Sequence, residues 1–297
     1  MKKILTLFAF FCVWYLSAQD TFVKDNFTKK EVYVTMRDGV KLFTSIYIPK
    51  DISAKNKYPI LMQRTCYSVA PYGEDQFKKN LGPNKFLQNE KYIFVYQDVR
   101  GRYMSEGTFT NMTPQVDHKT KKDIDESTDT YDTIDWLVKN IQNNNGNVGQ
   151  YGTSYPGFYT AVGVLADHPA LKASSPQAPI SDVWYDDFHH NGAFMMGYFR
   201  TFPVFGEQKT KAENAAWYIN AMKKLASTSE DGSLFYNEME TLKDGIEKYY
   251  GRENFFVNEI VDHPNYDDFW KKRDLLPHLK NIKHAVMTVG GWFDAED

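Results

Sequence analysis

The sequence predicts an α/β fold on a mostly parallel sheet, and three observations carry that prediction. Short apolar runs ending in polar residues alternate with segments of helical spacing. A Gly-x-Ser turn stands where a strand-like run meets a helix-like one. Sheet-like sequence then resumes near the end of the chain, after a long stretch without it.

In chain order, Glu31 to Pro49 alternates apolar and polar residues on both sides of Asp38-Gly39, a β-hairpin signal. Tyr58 to Tyr67 and Tyr92 to Gly101 are short apolar runs with polar ends, as buried parallel strands are. Asp125 to Ile141 opens on acidic and capping residues and carries Tyr131, Ile134, Trp136, Leu137 and Ile141 at largely helical spacings. Gly146 to Gly152 reads as a strand, Phe158 to Pro169 as a helix of small and apolar residues, Leu171 to Ile180 as a strand and Lys283 to Asp297 as another. Between Asp186 and Lys280, charged and aromatic residues follow helical periodicity with no clear strand. That stretch is expected to be a helical cap inserted over the sheet's C-terminal edge; a separate helical domain is the alternative.

The bulk numbers exclude several classes. The chain has 297 residues with 42% hydrophobic and 16% aromatic content, which suits a packed core. A net charge of -3 provides no basic field for nucleic acid. No phosphate loop, C-x-x-C pair or H-E-x-x-H run appears. The N-terminus has Lys2 and Lys3, then the apolar run Ile4 to Leu16, then small residues offering cleavage after Ala18. This reads as a secretory signal peptide over residues 1–18, too short to span a bilayer, and predicts a periplasmic or secreted protein with no membrane contact after removal. Cys12 leaves with it, so Cys66 has no partner for an internal disulfide. The expected organisation is a core over 19–185, a cap over 186–280 and resumed core over 281–297.

The turn is "GQYGTSYPGF", Gly149 to Phe158. A strand-to-helix turn presents a nucleophile well, but it is tight and wants small neighbours, which Gly152 and Gly157 provide. Ser154 would expose its Oγ above the sheet, with the Tyr155 amide aimed at the same space as an oxyanion donor. The general pattern is G-x-S-x-G, and this sequence departs from it: Pro156 takes the plus-two place and the glycine comes one later. On the turn alone, a solvent-exposed serine is an equal reading.

Four segments together resemble a known family. "GTSYPG" at the serine, "QDVRGRYMSEGTF" (Gln97 to Phe109), "QRTCYSVAPYG" (Gln63 to Gly73) and "GGWFDAED" at the end resemble, in order, the motifs of the serine hydrolases that include cocaine esterase, S15-type X-Pro dipeptidyl-peptidases, glutaryl acylases and α-amino acid ester hydrolases. The resemblance runs from about residue 30 to 297 and is nearest in motifs to the last of these. It implies an α/β-hydrolase core with an inserted helical cap, Ser154 as nucleophile, Asp294 as triad acid and Tyr67 as an oxyanion donor beside the Tyr155 amide. By itself Asp294 reads as a loop carboxylate or helix cap, and Tyr67 as a core tyrosine.

A serine nucleophile needs a base, which in this fold follows the acid. All seven histidines, His118, His168, His189, His190, His263, His278 and His284, precede Asp294. The expectation is a chain truncated before the catalytic histidine and before the C-terminal jelly-roll domain that the resemblance implies, and nearly inactive alone. A non-catalytic remnant of the fold is the competing reading.

For substrate, the resemblance to α-amino acid ester hydrolases implies a carboxylate group that holds an α-ammonium, at Asp187, Glu296 and Asp297. Three acids in "DAED" repel unless a cation sits among them; a solvated acidic loop is the bland reading. The substrate expected is a small acyl ester, amide or short peptide, with an X-Pro dipeptidyl-peptidase as the alternative activity. No cofactor is implied. Asp186, Asp187, His189 and His190 are poorly spaced for a metal on one helical face, and none is expected. Assembly into dimers or larger is common in such families, and the residues leave it open.

Overall fold

The computed structural model describes residues 21–117, 119–226, 231–251 and 253–294. The proposed signal segment, His118, Glu296 and Asp297 lie outside the described residues. A short helix α1 (Phe22–Asn26) leads into β1 (Phe27–Thr35), which pairs antiparallel with β2 (Lys41–Pro49) from Phe27 opposite Pro49 to Thr35 opposite Lys41. The hairpin turns at Gly39, whose φ of 89° is readily adopted without a side chain. β3 (Tyr58–Thr65), α2 (Lys85–Asn89), β4 (Ile93–Asp98), α3 (Glu126–Asn140), β5 (Asn144–Thr153), α4 (Tyr155–Gly163) and β6 (Leu171–Gln177) follow.

With β9 (Ala285–Val286) near the end of the chain, the sheet order is β1-β2-β4-β3-β5-β6-β9. β1/β2 and β2/β4 are antiparallel, and β4, β3, β5, β6 and β9 run parallel. Every residue of β4 is buried, as a central strand covered on both faces requires. α3 opens with a capping box in which Asp125 accepts from the Thr128 amide at 2.9 Å and Thr128 Oγ1 accepts from the Asp125 amide at 2.9 Å. Its Ile134, Leu137 and the following Ile141 are buried against Ile60, Met62, Ile93, Val95 and Val148.

Between β6 and β9 the chain forms a π turn at Trp184–Phe188, the pair β7 (His189–His190) and β8 (Ala193–Phe194), a 3-10 turn at Met196–Thr201, and helices α5 (Phe202–Gly206), α6 (Ile219–Ala226), α7 (Gly232–Asn237), α8 (Leu242–Tyr249), α9 (Phe255–Asp262) and α10 (Asp268–Lys271). The β7/β8 pair corrects the expectation of no strand here. It is too short for an alternating pattern to show in sequence. Phe199, Phe202, Phe235, Phe256 and Trp270 share one buried cluster with Tyr155, Phe158 and Tyr159 of α4. The helical segment is therefore seated on the helix that starts at Ser154.

The last expected strand is much shorter than the sequence suggests. β9 covers only Ala285–Val286, followed by one bridge from Val289 to Gln177. Among the described residues it pairs on one side only, and Gly290-Gly291 bring no side chain to hold the next residues. Trp292 and Phe293 are exposed, and Asp294 lies on a turn beyond the strand, its N–H on the Gly291 carbonyl at 3.3 Å.

Candidate active site

The turn between β5 and α4 holds Ser154 at φ 63° and ψ -130°, a left-handed conformation that a non-glycine residue keeps only when its surroundings enforce it. The Ser154 N–H donates to the Gln177 carbonyl at 2.9 Å, and its carbonyl accepts from the Phe158 N–H at 3.0 Å. A Cβ on Gly152 would stand 2.1 Å from the Pro156 carbonyl oxygen, and one on Gly157 would stand 2.3 Å from that of Gln177. Both glycines are thus required by close backbone approach, and the displaced plus-three glycine does steric work against β6. Pro156 costs no hydrogen bond in the first turn of α4, where its N–H would have had no intrahelical acceptor.

Ser154 is exposed and borders a cavity with an empty volume of about 490 Å³. Tyr67, Tyr155, Asp187 and Asp294 border the same cavity, so five of the seven residues singled out in the sequence meet there. Met112, Ile180, Phe188, Phe205 and Phe256 form its apolar walls.

Tyr67 follows the end of β3, and its N–H donates to Thr65 Oγ1 at 3.0 Å. Its ring meets the Tyr155 ring edge-on, centroids 6.3 Å apart. Burial, then the neighbouring Cys66 and Asp187, push its phenol above the usual tyrosine range, so it stays a protonated donor at neutral pH. The N–H of Tyr155, at the first helical position, has no intrahelical acceptor. The Tyr155 phenol, which the sequence did not single out, is a tether: it donates to Asn111 Oδ1 at 3.2 Å and accepts from the Met112 N–H at 2.9 Å. That pins the helix start to a loop forming another cavity wall.

The two adjacent aspartates part company. In the π turn, Asp186 Oδ2 accepts from the Ser181 N–H at 2.6 Å, the Ser181 hydroxyl at 2.8 Å and the Asp182 N–H at 3.0 Å, a local structural role. Asp187 instead lines the cavity and is only 6% exposed. Its Oδ1 accepts from the Tyr198 phenol, and its Oδ2 is buried with no partner among the described residues. Burial first, with Asp186 and Asp294 adding repulsion, pushes its carboxyl up to about 6, while Tyr198 and His190 pull the other way. Tyr198 also lines the cavity; no motif in the sequence flags it.

Among the described residues no histidine lines the cavity. His189 stacks on Trp184 with ring centroids 3.5 Å apart, and burial pushes it down to about 4. His284 bonds Ser174 Oγ at 2.8 Å, His278 bonds Asp117 at 2.8 Å and His263 bonds Asp267 at 2.7 Å. Cys66 is fully buried, and its thiol is pushed up to about 12, which leaves it unreactive.

The sequence pattern of the X-Pro dipeptidyl-peptidase (S15) family matches residues 38–297. Cocaine esterase of Rhodococcus sp. (strain MB1 Bresler) is 25% identical over 273 residues, covering 89% of this chain and 43% of the esterase. An aminopeptidase structure from a marine sediment archaeon, Thaumarchaeota archaeon, aligns with a TM-score of 0.76 at 34% identity, covering 92% of this chain and 44% of that one. A structure of an α-amino acid ester hydrolase aligns with a TM-score of 0.77 at 32% identity, with the same coverages of 92% and 44%. The chain thus spans less than half the length of these relatives.

Proposed function

We propose, from the premise that this chain belongs to the X-Pro dipeptidyl-peptidase (S15) family, that it carries the nucleophile and acyl site of a serine hydrolase for esters or amides of small α-amino acyl groups. The observation carrying the substrate class is the Asp187 carboxylate, buried with Oδ2 unpartnered beside Ser154 in one cavity. A buried carboxylate with one oxygen unpartnered among the described residues is costly, and a compact ammonium entering the cavity would offset that cost.

In this reading Ser154 Oγ attacks the acyl carbonyl, and the oxyanion accepts hydrogen bonds from the Tyr67 phenol and the Tyr155 N–H. The leaving group departs protonated, and water, or an amine acceptor, takes the acyl group from the serine. Asp294 orients the base, a role that none of the six described histidines fills at this cavity. Glu296 and Asp297, which lie outside the described residues, are assigned to the ammonium site on their sequence resemblance alone. The N-terminal segment supports export to the periplasm or beyond, after cleavage at Ala18.

A second reading, release of an N-terminal dipeptide, is favoured by the description of the family whose pattern matches. One experiment separates the two. The protein expressed from its complete gene, and its Ser154→Ala variant, are assayed with phenylglycine methyl ester, phenylacetic methyl ester and Ala-Pro-4-nitroanilide. Serine-dependent turnover of the amino ester, with the des-amino ester much slower, supports the acyl site; preference for the anilide supports the peptidase. Rates unchanged by Ser154→Ala sink both.

A further inference from the structure

The turn that carries Tyr67 is gripped from both sides by the last residue of β4 and the loop after it. On one side Asp98 Oδ1 accepts from the Val69 N–H at 3.0 Å, and Asp98 Oδ2 accepts from the Tyr72 phenol at 2.9 Å. On the other, Arg102 Nε donates to the Cys66 carbonyl at 3.1 Å, one residue before Tyr67. Asp98 and Arg102 are both fully buried. Tyr67 sits between the two grips.

Arg102 is more than a tie. Its guanidinium makes no ion pair among the described residues, and both terminal nitrogens are buried with no hydrogen-bond partner. Four rings surround it, with its Cζ 4.5 Å from the Trp217 centroid, 4.7 Å from Phe109, 5.5 Å from Tyr218 and 5.7 Å from Tyr103. Those π faces compensate part of the desolvation, and the buried Asp98 carboxylate acts on the charge without forming an ion pair with it. A buried cation with no ion-pair partner in contact is expensive, and a fold keeps one only where the charge is used or the site is over-determined by packing. The guanidinium draws the Cys66 thiol and the Tyr67 phenol beside it towards ionisation, against the effects of burial.

We propose that Arg102 is the positioning residue of the oxyanion tyrosine: it fixes the Cys66–Tyr67 turn through the Cys66 carbonyl, and its positive charge strengthens Tyr67 O–H as a donor to the developing oxyanion. The proposal rests on Tyr67 serving as an oxyanion donor, as in the reading above. It predicts an effect in the transition state and little in the ground state, because the oxyanion exists only in the former.

The test uses the protein expressed from its complete gene, with Arg102→Met, Arg102→Lys, Tyr67→Phe and the double variant Arg102→Met/Tyr67→Phe, assayed on an ester that the wild type turns over. Arg102→Met should lower kcat about 10–100-fold with KM changed less than about threefold. Arg102→Lys keeps the charge and should recover part of that loss. In the Tyr67→Phe background the Arg102→Met change should cost less than about threefold, since its target hydroxyl is gone. Equal losses in both backgrounds, or a loss confined to KM, overturn the proposal. Hydrogen exchange of the amides of residues 66–70 reads the grip without relying on turnover. Faster exchange in Arg102→Met than in Arg102→Lys is expected, and unchanged exchange in a folded Arg102→Met protein overturns the positioning role. If the wild type shows no turnover that depends on Ser154, the functional reading fails by itself, and the exchange arm still decides whether Arg102 holds the turn.

Discussion

The phenol of Tyr198 donates to Oδ1 of Asp187, and this bond leaves Oδ2 of the same carboxylate as a buried, unpartnered acceptor in the cavity that Ser154 borders. The two residues are eleven apart, one in the π turn and one in the 3-10 turn after β8. Their meeting fixes the orientation of an acidic residue that the run itself does not distinguish. Asp186, its neighbour, spends its carboxylate on Ser181 and Asp182.

Replacing Asp187 with Asn should raise KM for phenylglycine methyl ester while sparing phenylacetic methyl ester. Losing one charged hydrogen bond costs about 1.5–3 kcal/mol, or roughly 10–100-fold. The wild-type carboxyl, held at about 6 in the empty site, must be ionised to bind an ammonium. KM for the amino ester should therefore rise as pH falls through about 6, and the inflection should vanish in Asp187→Asn. Asp186, Asp294, His190 and Tyr198 are the groups that set this value from around it. A pH profile of KM shared by both esters would refute the assignment.

Tyr198→Phe tests the preset geometry. The Tyr198 hydrogen bond holds the Asp187 carboxyl down, so its removal should move the KM inflection for the amino ester to higher pH. KM should rise at pH 6–7 and approach the wild-type value at higher pH, where the carboxylate is ionised in both proteins. An inflection that does not move would mean that Tyr198 does not act on this carboxylate.

Gly157→Ala should destabilise the protein strongly, because its Cβ would lie 2.3 Å from the backbone oxygen of Gln177 on β6. A cost of about 2–4 kcal/mol is expected from overpacking against rigid backbone. Gly232→Ala, with nothing within 4 Å of its Cβ, is the control and should change stability by less than about 0.5 kcal/mol. Urea unfolding of the two variants compares them directly, and equal midpoints would contradict the account of the plus-three glycine.

The sheet was legible because its strands are periodic and bounded by turn residues. The hairpin about Asp38-Gly39, the runs from Tyr58 and Tyr92, and α3 with its Asp125 cap all carry their signal within a dozen residues. The end of the chain was less so: the apolar run from Ala285 read as one long strand, yet pairing stops at Val289, since an edge strand has a neighbour on one side only. The β7/β8 pair is too short to leave any period.

What the sequence determined by itself was the local chemistry of the turn. Gly152, Ser154, Pro156 and Gly157 specify a strained strand-to-helix corner through backbone sterics among near neighbours, and such constraints are written in consecutive residues. The tertiary structure alone decided which carboxylate faces the cavity, that Tyr198 holds it, that the Tyr155 phenol bonds Asn111 and Met112, and that Arg102 holds the Cys66 carbonyl. Each of these joins residues separated along the chain. Burial removes water as the competing partner, so a side chain's role follows from what packs around it, and that depends on the whole fold.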